Sequence, residues 1–272
     1  PLPMFDVTGK VAIVTGGNKG IGEGIAKAFA SAGARVAVWG RNEADNHQVR
    51  DEILSAGGDC IACTCDVSCE DQVNVAIQKT LTAFNGRIDV LVHAAGIMKH
   101  GDPQKVPAES VEDFRKVVEV NLVGAYICAA AVFPIMRKQK FGRLIYIASA
   151  IHQRMAADRV PSYTASKTGE VGLVRHLAME GREFGITVNA ICPGSTLTPM
   201  LEAMITSPEQ LEFRQRMIPT ARLATPQDHA NLAIFLASEE ASQINGQAIN
   251  VDGGQTLPWV DRDTYFKGLD SR

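Results

Sequence analysis

The sequence predicts an α/β protein built as one doubly wound sheet of about seven parallel strands, with helices on both faces. Three observations carry this reading. Short apolar runs alternate with amphipathic stretches from Lys10 to Gly254, a rhythm that means βαβ units joined by right-handed crossovers. The runs are apolar throughout rather than at every second residue, as strands covered on both faces must be. A chain of 272 residues, 46% hydrophobic and 21% charged, is long enough to bury one large core as a single domain spanning 1–272.

The elements follow in order. "KVAIVTG" (10–16) reads as a buried strand, and "IGEGIAKAFASAG" (21–33) as a helix with Ile21, Ile25 and Phe29 on one face. "RVAVWG" is the second strand, followed by the helix "ADNHQVRDEILSAGG", which stops at Gly57 and Gly58. The strand "CIACTCDV", the helix "EDQVNVAIQKTLTAF" and the strand "IDVLVHAAG" come next. A single long helix is expected over roughly 109–138, with Pro134 bending its last turns. "RLIYIAS", a helix around 162–184, "TVNAICPG", a helix at 226–237 and "QAINVDGG" complete the series. Thr225 can cap the last helix, with Pro226 at its first position and Asp228 closing a capping-box-like start. The stretch 198–223 is too long for a connector and is expected to form a small helical lid over a binding site.

Composition narrows the function. A net charge of −3 and the absence of a basic run argue against nucleic acid. No uninterrupted apolar run approaches the roughly 20 residues that span a bilayer, and "PLPMFDVTGK" lacks the regions of a secretory signal. The expectation is a soluble, cytoplasmic protein without a membrane partner. Four of the six cysteines cluster as Cys60, Cys63, Cys65 and Cys69. The segment reads as a strand without paired CxxC motifs or a downstream His pair, so buried thiols are expected and no metal site.

"TGGNKGIG" (15–22) lies between the first strand and the first helix. There its glycines let the backbone approach a phosphate, and the helix N-terminus supplies free N–H donors. The candidates in this turn are Gly16, Asn18, Lys19, Gly20, Ile21 and Gly22. Lys19 stands against the positive end of the helix dipole, an arrangement that a bound anion offsets. An acidic residue after the second strand would mark NAD by holding the ribose 2′-hydroxyl. The positions there are Gly40, Arg41 and Asn42, so Lys19 and Arg41 are read as flanking the 2′-phosphate of NADP, with NAD the alternative.

In "PSYTASKTGE" (161–170), Tyr163 and Lys167 are four apart and therefore neighbours on one helix face. Together with "TGGNKGIG", "CDVS", "HAAG", Asn121 in "EVNLVGAY", Ser149 closing "IAS", "NAICPGSTLTPM" and "GQAINVDGG", the pattern resembles the short-chain dehydrogenase/reductase family over Lys10 to Gly254. The resemblance implies a Rossmann-fold, NAD(P)-dependent oxidoreductase. It makes Tyr163 the general acid or base, and Lys167 the group that lowers the Tyr163 pKa and binds the nicotinamide ribose. Ser149 becomes a donor to the substrate oxygen, and Asn121 the holder of a water beside Lys167. It also places Asp66 and Val67 near the adenine, and His93, Ala94, Ala95 and Gly96 along the cofactor. After Pro193 and Gly194, it gives Thr196 and Thr198 to the carboxamide. Family members are commonly tetramers, and a homotetramer is expected here.

Two departures stand out. The family's usual Asn-Asn-Ala-Gly is His93-Ala94-Ala95-Gly96 here, with His93 read as structural and, if it titrates, as making cofactor binding pH-sensitive. The loop between Ser149 and Tyr163 is about one residue longer than is commonest. That loop carries His152, Gln153, Arg154, Asp158 and Arg159 beside the reacting carbon, and Lys99 and His100 follow the "AAG" turn. This polarity leans towards a small sugar, polyol or keto acid rather than an apolar substrate. Met200, Met204 and Met217 are candidate substrate contacts in the lid. The tail 255–272, with Trp259, Tyr265 and Phe266, is expected to pack on another subunit or close a pocket there. The competing readings are a non-catalytic dinucleotide-binding protein and a dehalogenase-like relative with an anion pocket in place of the dinucleotide.

Overall fold

A computed structural model describes residues 5–152 and 159–257. The strands are β1 (Val11–Thr15), β2 (Arg35–Gly40), β3 (Asp59–Thr64), β4 (Val90–His93), β5 (Gly142–Ile147), β6 (Ile186–Pro193) and β7 (Ala248–Val251). These described residues form a seven-stranded sheet in the order β3-β2-β1-β4-β5-β6-β7, with every pairing parallel. The chain therefore winds outward in both directions from β1 and β4. At such a switch point the loops diverge and leave a crevice at the strands' carboxyl ends.

Side-chain alternation along the strands builds a core on each face. Val11 and Ile13 of β1 point into one core with Trp39, Leu91 and Tyr146, while Ala12 and Val14 point into the other with Ile25, Phe29 and Ile145. The helices are α1 (Gly20–Ser31), α2 (Glu43–Ser55), α3 (Glu70–Ala83), α4 (Val111–Val118), α5 (Gly124–Gln139), α6 (Pro161–Gly181), α7 (Pro199–Glu202), α8 (Pro208–Arg216) and α9 (Pro226–Ala237). The start of α9 follows its sequence: Thr225 accepts from the Asp228 N–H, and the Asp228 carboxylate accepts from the Thr225 N–H. Helices α1 and α9 approach closely because residue 24 is glycine; a Cβ there would lie 2.4 Å from the Pro226 side chain.

The expected long helix is interrupted. Between α4 and α5 the chain makes a π turn, Glu119–Val123, with Asn121 inside it; Pro134 lies within α5. Taken together, Val111–Gln139 is long and apolar enough by length and composition to cross a bilayer, which the search for an uninterrupted apolar run overlooked. Within the fold its apolar residues Val120, Cys128, Ala129, Val132 and Met136 pack into the core beneath the sheet.

Cys60 faces one core, and Cys63 and Cys65 the other, so the sheet separates thiols that are close in sequence. Burial pushes the Cys60 and Cys65 thiols up to about 12. The stretch expected to form a lid carries α7 and α8, packed through a small cluster of Leu201, Ile218 and Leu223. Gln153, Arg154, Asp158 and the tail residues Trp259, Tyr265 and Phe266 lie outside the described residues.

Candidate active site

The carboxyl ends of the central strands open into a cleft of about 630 Å³. At its β1 side the turn into α1 depends on glycine. A Cβ on Gly22 would stand 2.3 Å from the Gly16 carbonyl oxygen, and one on Gly16 would stand 2.9 Å from the Ala95 backbone. Lys19 is the N-cap of α1 and supplies no side-chain cap. The first N–H groups of the helix are thereby left for an anion, a cradle that fits a pyrophosphate. Gly16, Asn18, Lys19, Gly20, Ile21 and Gly22 all border the cleft.

At the β2 end, Arg41 is exposed and Asn42 caps α2 by accepting from the Asp45 N–H at 3.2 Å. The Lys19 ammonium, read from the sequence as awaiting an anion, already stands 2.7 Å from the Asp45 carboxylate. The sequence reading missed Asp45 because it comes from the next βα unit; its place in the first turn of α2, three residues after the cap, was the available signal. Burial opposes the charge of Asp66, but hydrogen bonds from the Ser68 hydroxyl and N–H, with Arg41 nearby, hold it below the usual carboxylate range. Val67 sits against residue 124, where a Cβ would be 2.8 Å from its side chain.

His93 ties strands together. Its Nδ1 lies 3.1 Å from Thr15 Oγ1, which also accepts from the Ala95 N–H at 3.2 Å. Complete burial, with the Lys167 charge beside it, pushes its pKa down to about 3. The imidazole is therefore neutral throughout the physiological range, and the condition on which His93 would make cofactor binding pH-sensitive is not met. Ala94, Ala95 and Gly96 continue along the cleft.

Helix α6 begins at Pro161, and its N-terminus is held by Glu109, which accepts from the Ser162 N–H at 3.0 Å and the Ser162 hydroxyl at 2.5 Å. One face then carries Tyr163, Lys167 and Glu170. Tyr163 is half-buried and borders the cleft; Lys167 and Glu170 are buried. Lys167 Nζ is 5.9 Å from the centre of the Tyr163 ring. It donates to the Ile147 carbonyl at 2.8 Å and to the Glu170 carboxylate at 2.8 and 3.1 Å. Burial opposes the charge of Lys167, yet Glu170 and Tyr163 outweigh it and hold its pKa above the usual lysine value. Glu170 did not figure in the sequence reading, although its place seven residues after Tyr163 puts it on the same face. Ser149, at the end of β5, borders the same cleft and accepts from the Ile151 N–H at 3.3 Å. Asn121 Oδ1 accepts from the Ile97 N–H at 2.8 Å, while Nδ2 donates to the Ile97 carbonyl and to Ser166 Oγ, both at 3.0 Å. Above Gly96, the space a Cβ would take is 3.4 Å from Asn121 Oδ1 and 3.5 Å from Lys167 Nζ, so these two groups flank one spot.

Residues 16–256 match the family model described as enoyl-(acyl carrier protein) reductase. The oxidoreductase UcpA of Salmonella typhimurium is 37% identical over 261 residues, covering 94% of this chain and 97% of its own. The chain belongs to the short-chain dehydrogenase/reductase family. Two solved members show the range. A variant of actinorhodin polyketide ketoreductase with NADPH aligns with a TM-score of 0.86 at 30% identity, covering 91% of this chain and 97% of that one. A 7α-hydroxysteroid dehydrogenase with NADH and 7-oxo glycochenodeoxycholic acid aligns at 0.85 and 35% identity, covering 92% and 95%. As a short-chain dehydrogenase/reductase, the chain is an oxidoreductase acting on CH–OH groups with a nicotinamide dinucleotide.

Family resemblance gave Thr196 and Thr198 to the carboxamide. Both border the cleft, as do Pro193 and Gly194, but both hydroxyls are engaged within the loop. Thr196 Oγ1 donates to the Gly194 carbonyl at 3.0 Å and pairs with His229 Nε2 at 2.8 Å. Thr198 Oγ1 caps α7 by accepting from the Leu201 N–H at 3.3 Å. His229, another residue the sequence reading missed, is kept neutral by burial, which pushes it down to about 4 against the pull of Asp228.

The loop residues Gln153, Arg154 and Asp158, expected at the substrate end, lie outside the described residues. Among the described residues that end is walled by Ile97, Met98, Ile151, Met200 and Met204, with Arg214 of α8 as the cation. Lys99 instead pairs with Asp113 of α4, and neither it, His100, Arg159 nor Met217 borders the cleft. Arg214 was illegible in the sequence, since only the folding-back of 198–223 brings it to the site.

Proposed function

We propose that this short-chain dehydrogenase/reductase interconverts a carbonyl and a secondary alcohol on a small anionic molecule of the oxo-acid type, with NADP as its dinucleotide. The observation that carries the reading is the single face of α6 on which Tyr163 meets the cleft with Lys167 buried one turn along. Tyr163 gives a proton to the carbonyl oxygen, or takes one from the alcohol. The Lys167 ammonium lies one turn along, 5.9 Å from the centre of the Tyr163 ring, where it can stabilise charge that develops on the phenol oxygen. Ser149 donates to the same oxygen and stabilises its developing charge. Asn121 and Lys167 hold a water over Gly96 that passes the proton on. When bound, NADP supplies the hydride. Gly16 to Gly22 hold its pyrophosphate, and Lys167 holds the nicotinamide ribose.

The NADP preference rests on Arg41 and Lys19 beside the β2 end, where Gly40 to Asn42 offer no carboxylate before Glu43; Asp45, which borders the cleft, is paired with Lys19. Of the three substrate types weighed from the sequence, an oxo acid suits best the apolar wall and Arg214 seen among the described residues, because the guanidinium can pair with its carboxylate. The stretch 198–223 acts as a lid. Exposed Val111 and Phe114 on α4, Val123 in the π turn and Tyr126 at the start of α5 support a subunit interface in a homotetramer, which sedimentation velocity tests: a monomer overturns it.

A panel of oxo acids, sugars and neutral ketones, read by nicotinamide absorbance with NADPH and then NADH, tests the function. The expected result is turnover of oxo acids with a preference for NADPH. Arg214→Met is expected to raise KM for the anionic substrate by about ten- to a hundredfold with kcat within a few-fold, the loss of one charge-assisted pair. Equal turnover of neutral ketones by both proteins, with no preference for oxo acids, overturns the anionic assignment.

A further inference from the structure

Lys167 is expected to act on what lies in the cleft, yet two of its three contacts pull it the other way. An ammonium has three hydrogens. Here the Ile147 carbonyl and both oxygens of Glu170, which one N–H can share, compete for them with whatever binds in the cleft. Glu170 is fully buried, one turn further from the cleft than Lys167 on the same helix face, and its hydrogen bonds in the structure come from Lys167. A carboxylate in that position has two effects. It fixes the direction of the Lys167 side chain, and it offsets the positive field that Tyr163 feels.

We propose that Glu170 is a positioning residue for the reaction: its carboxylate pins Lys167 Nζ against Ile147 and cancels the ammonium charge, and its protonation frees that charge to act on Tyr163. The proposal rests on the Tyr163–Lys167 reading given above.

The surroundings leave this pair in control of the local charge. Tyr146 of β5 faces Glu170 and is driven well above the ordinary tyrosine range by burial. Cys192 of β6 is pushed up to about 12 by burial, and Cys128 of α5, behind Tyr146, is also raised by burial. His93 of β4 stays neutral. Asp252, just past β7, is charged and acts on Cys192: burial opposes its charge, but hydrogen bonds from Thr256 and Gly254 hold it below the usual range. Glu170 itself is raised by burial to about 7, against the pull of Lys167. Near neutrality the pair therefore passes between a lone ammonium and a neutral couple.

The direction follows from the charges. With Glu170 ionised, the Lys167 charge is cancelled and proton donation by Tyr163, hence carbonyl reduction, is favoured. With Glu170 neutral, the ammonium is uncompensated and proton abstraction by Tyr163, hence alcohol oxidation, is favoured. Glu170→Gln makes that second state permanent. Its pH profiles are expected to move to lower pH by about one unit in both directions of reaction, with the KM for the carbonyl substrate little changed. Glu170→Asp, one methylene shorter, is expected to move them the same way by less, and it decides the matter if the Gln variant does not fold. Profiles that superimpose on the parent's overturn the role of Glu170. Tyr163→Phe that still turns over instead overturns the underlying assignment, so the two failures are distinguishable.

Discussion

Replacing Tyr163 with phenylalanine is expected to lower kcat by about a thousandfold or more, while the dissociation constant for NADPH stays within about threefold. Proton transfer by a positioned side chain contributes roughly a hundred- to ten-thousandfold to rate, and here the phenol stands in the cleft beside a buried ammonium. The substitution removes one oxygen and leaves the ring, so the packing of α6 is preserved. The pyrophosphate cradle lies across the cleft at the start of α1, where Gly16 and Gly22 approach neighbouring backbone too closely for any side chain, and it is untouched. Steady-state kcat with fluorescence titration of NADPH reads both quantities. Loss of rate with loss of dinucleotide affinity would point to a misplaced helix, and retained rate would remove Tyr163 from the chemistry.

Local pattern revealed what local pattern decides. The buried run of β1, the glycines before α1, the box at Thr225 and the four-residue spacing of Tyr163 and Lys167 each depend on neighbours in sequence, and each was legible. The π turn at Glu119–Val123 was not, because it accompanies the clamp of Asn121 on Ile97 and Ser166, two segments distant in sequence. His93 was read as structural, but whether it titrates was open because imidazole ordinarily does; the packed sheet around it makes it neutral. Lys19 looked unpaired because its partner Asp45 belongs to the next helix. The surroundings of Lys99 and Arg214 were hidden for the same reason: Lys99 turns away to Asp113, while Arg214 arrives from α8.

Lys167→Met provides the second large effect, and it is one of stability as well as rate. Removing one partner of a buried ion pair leaves the other without compensation, which costs about 3–5 kcal/mol when the remaining group stays charged. Glu170 escapes part of that cost by taking up a proton. Its pKa in the folded protein is already raised from 4.5 to about 7 by burial, despite Lys167, and without Lys167 it rises further. A raised folded-state pKa means that stability is present at low pH and is lost as pH climbs through the folded value. The variant is therefore expected to approach the parent's urea midpoint at about pH 5 and to fall clearly below it at about pH 9. Adding Glu170→Gln to Lys167→Met removes the titrating group, so the double variant is expected to lose that pH dependence and recover stability at alkaline pH without recovering turnover. A Lys167→Met deficit of equal size at both pH values would mean that Glu170 is not the buried partner whose charge Lys167 holds.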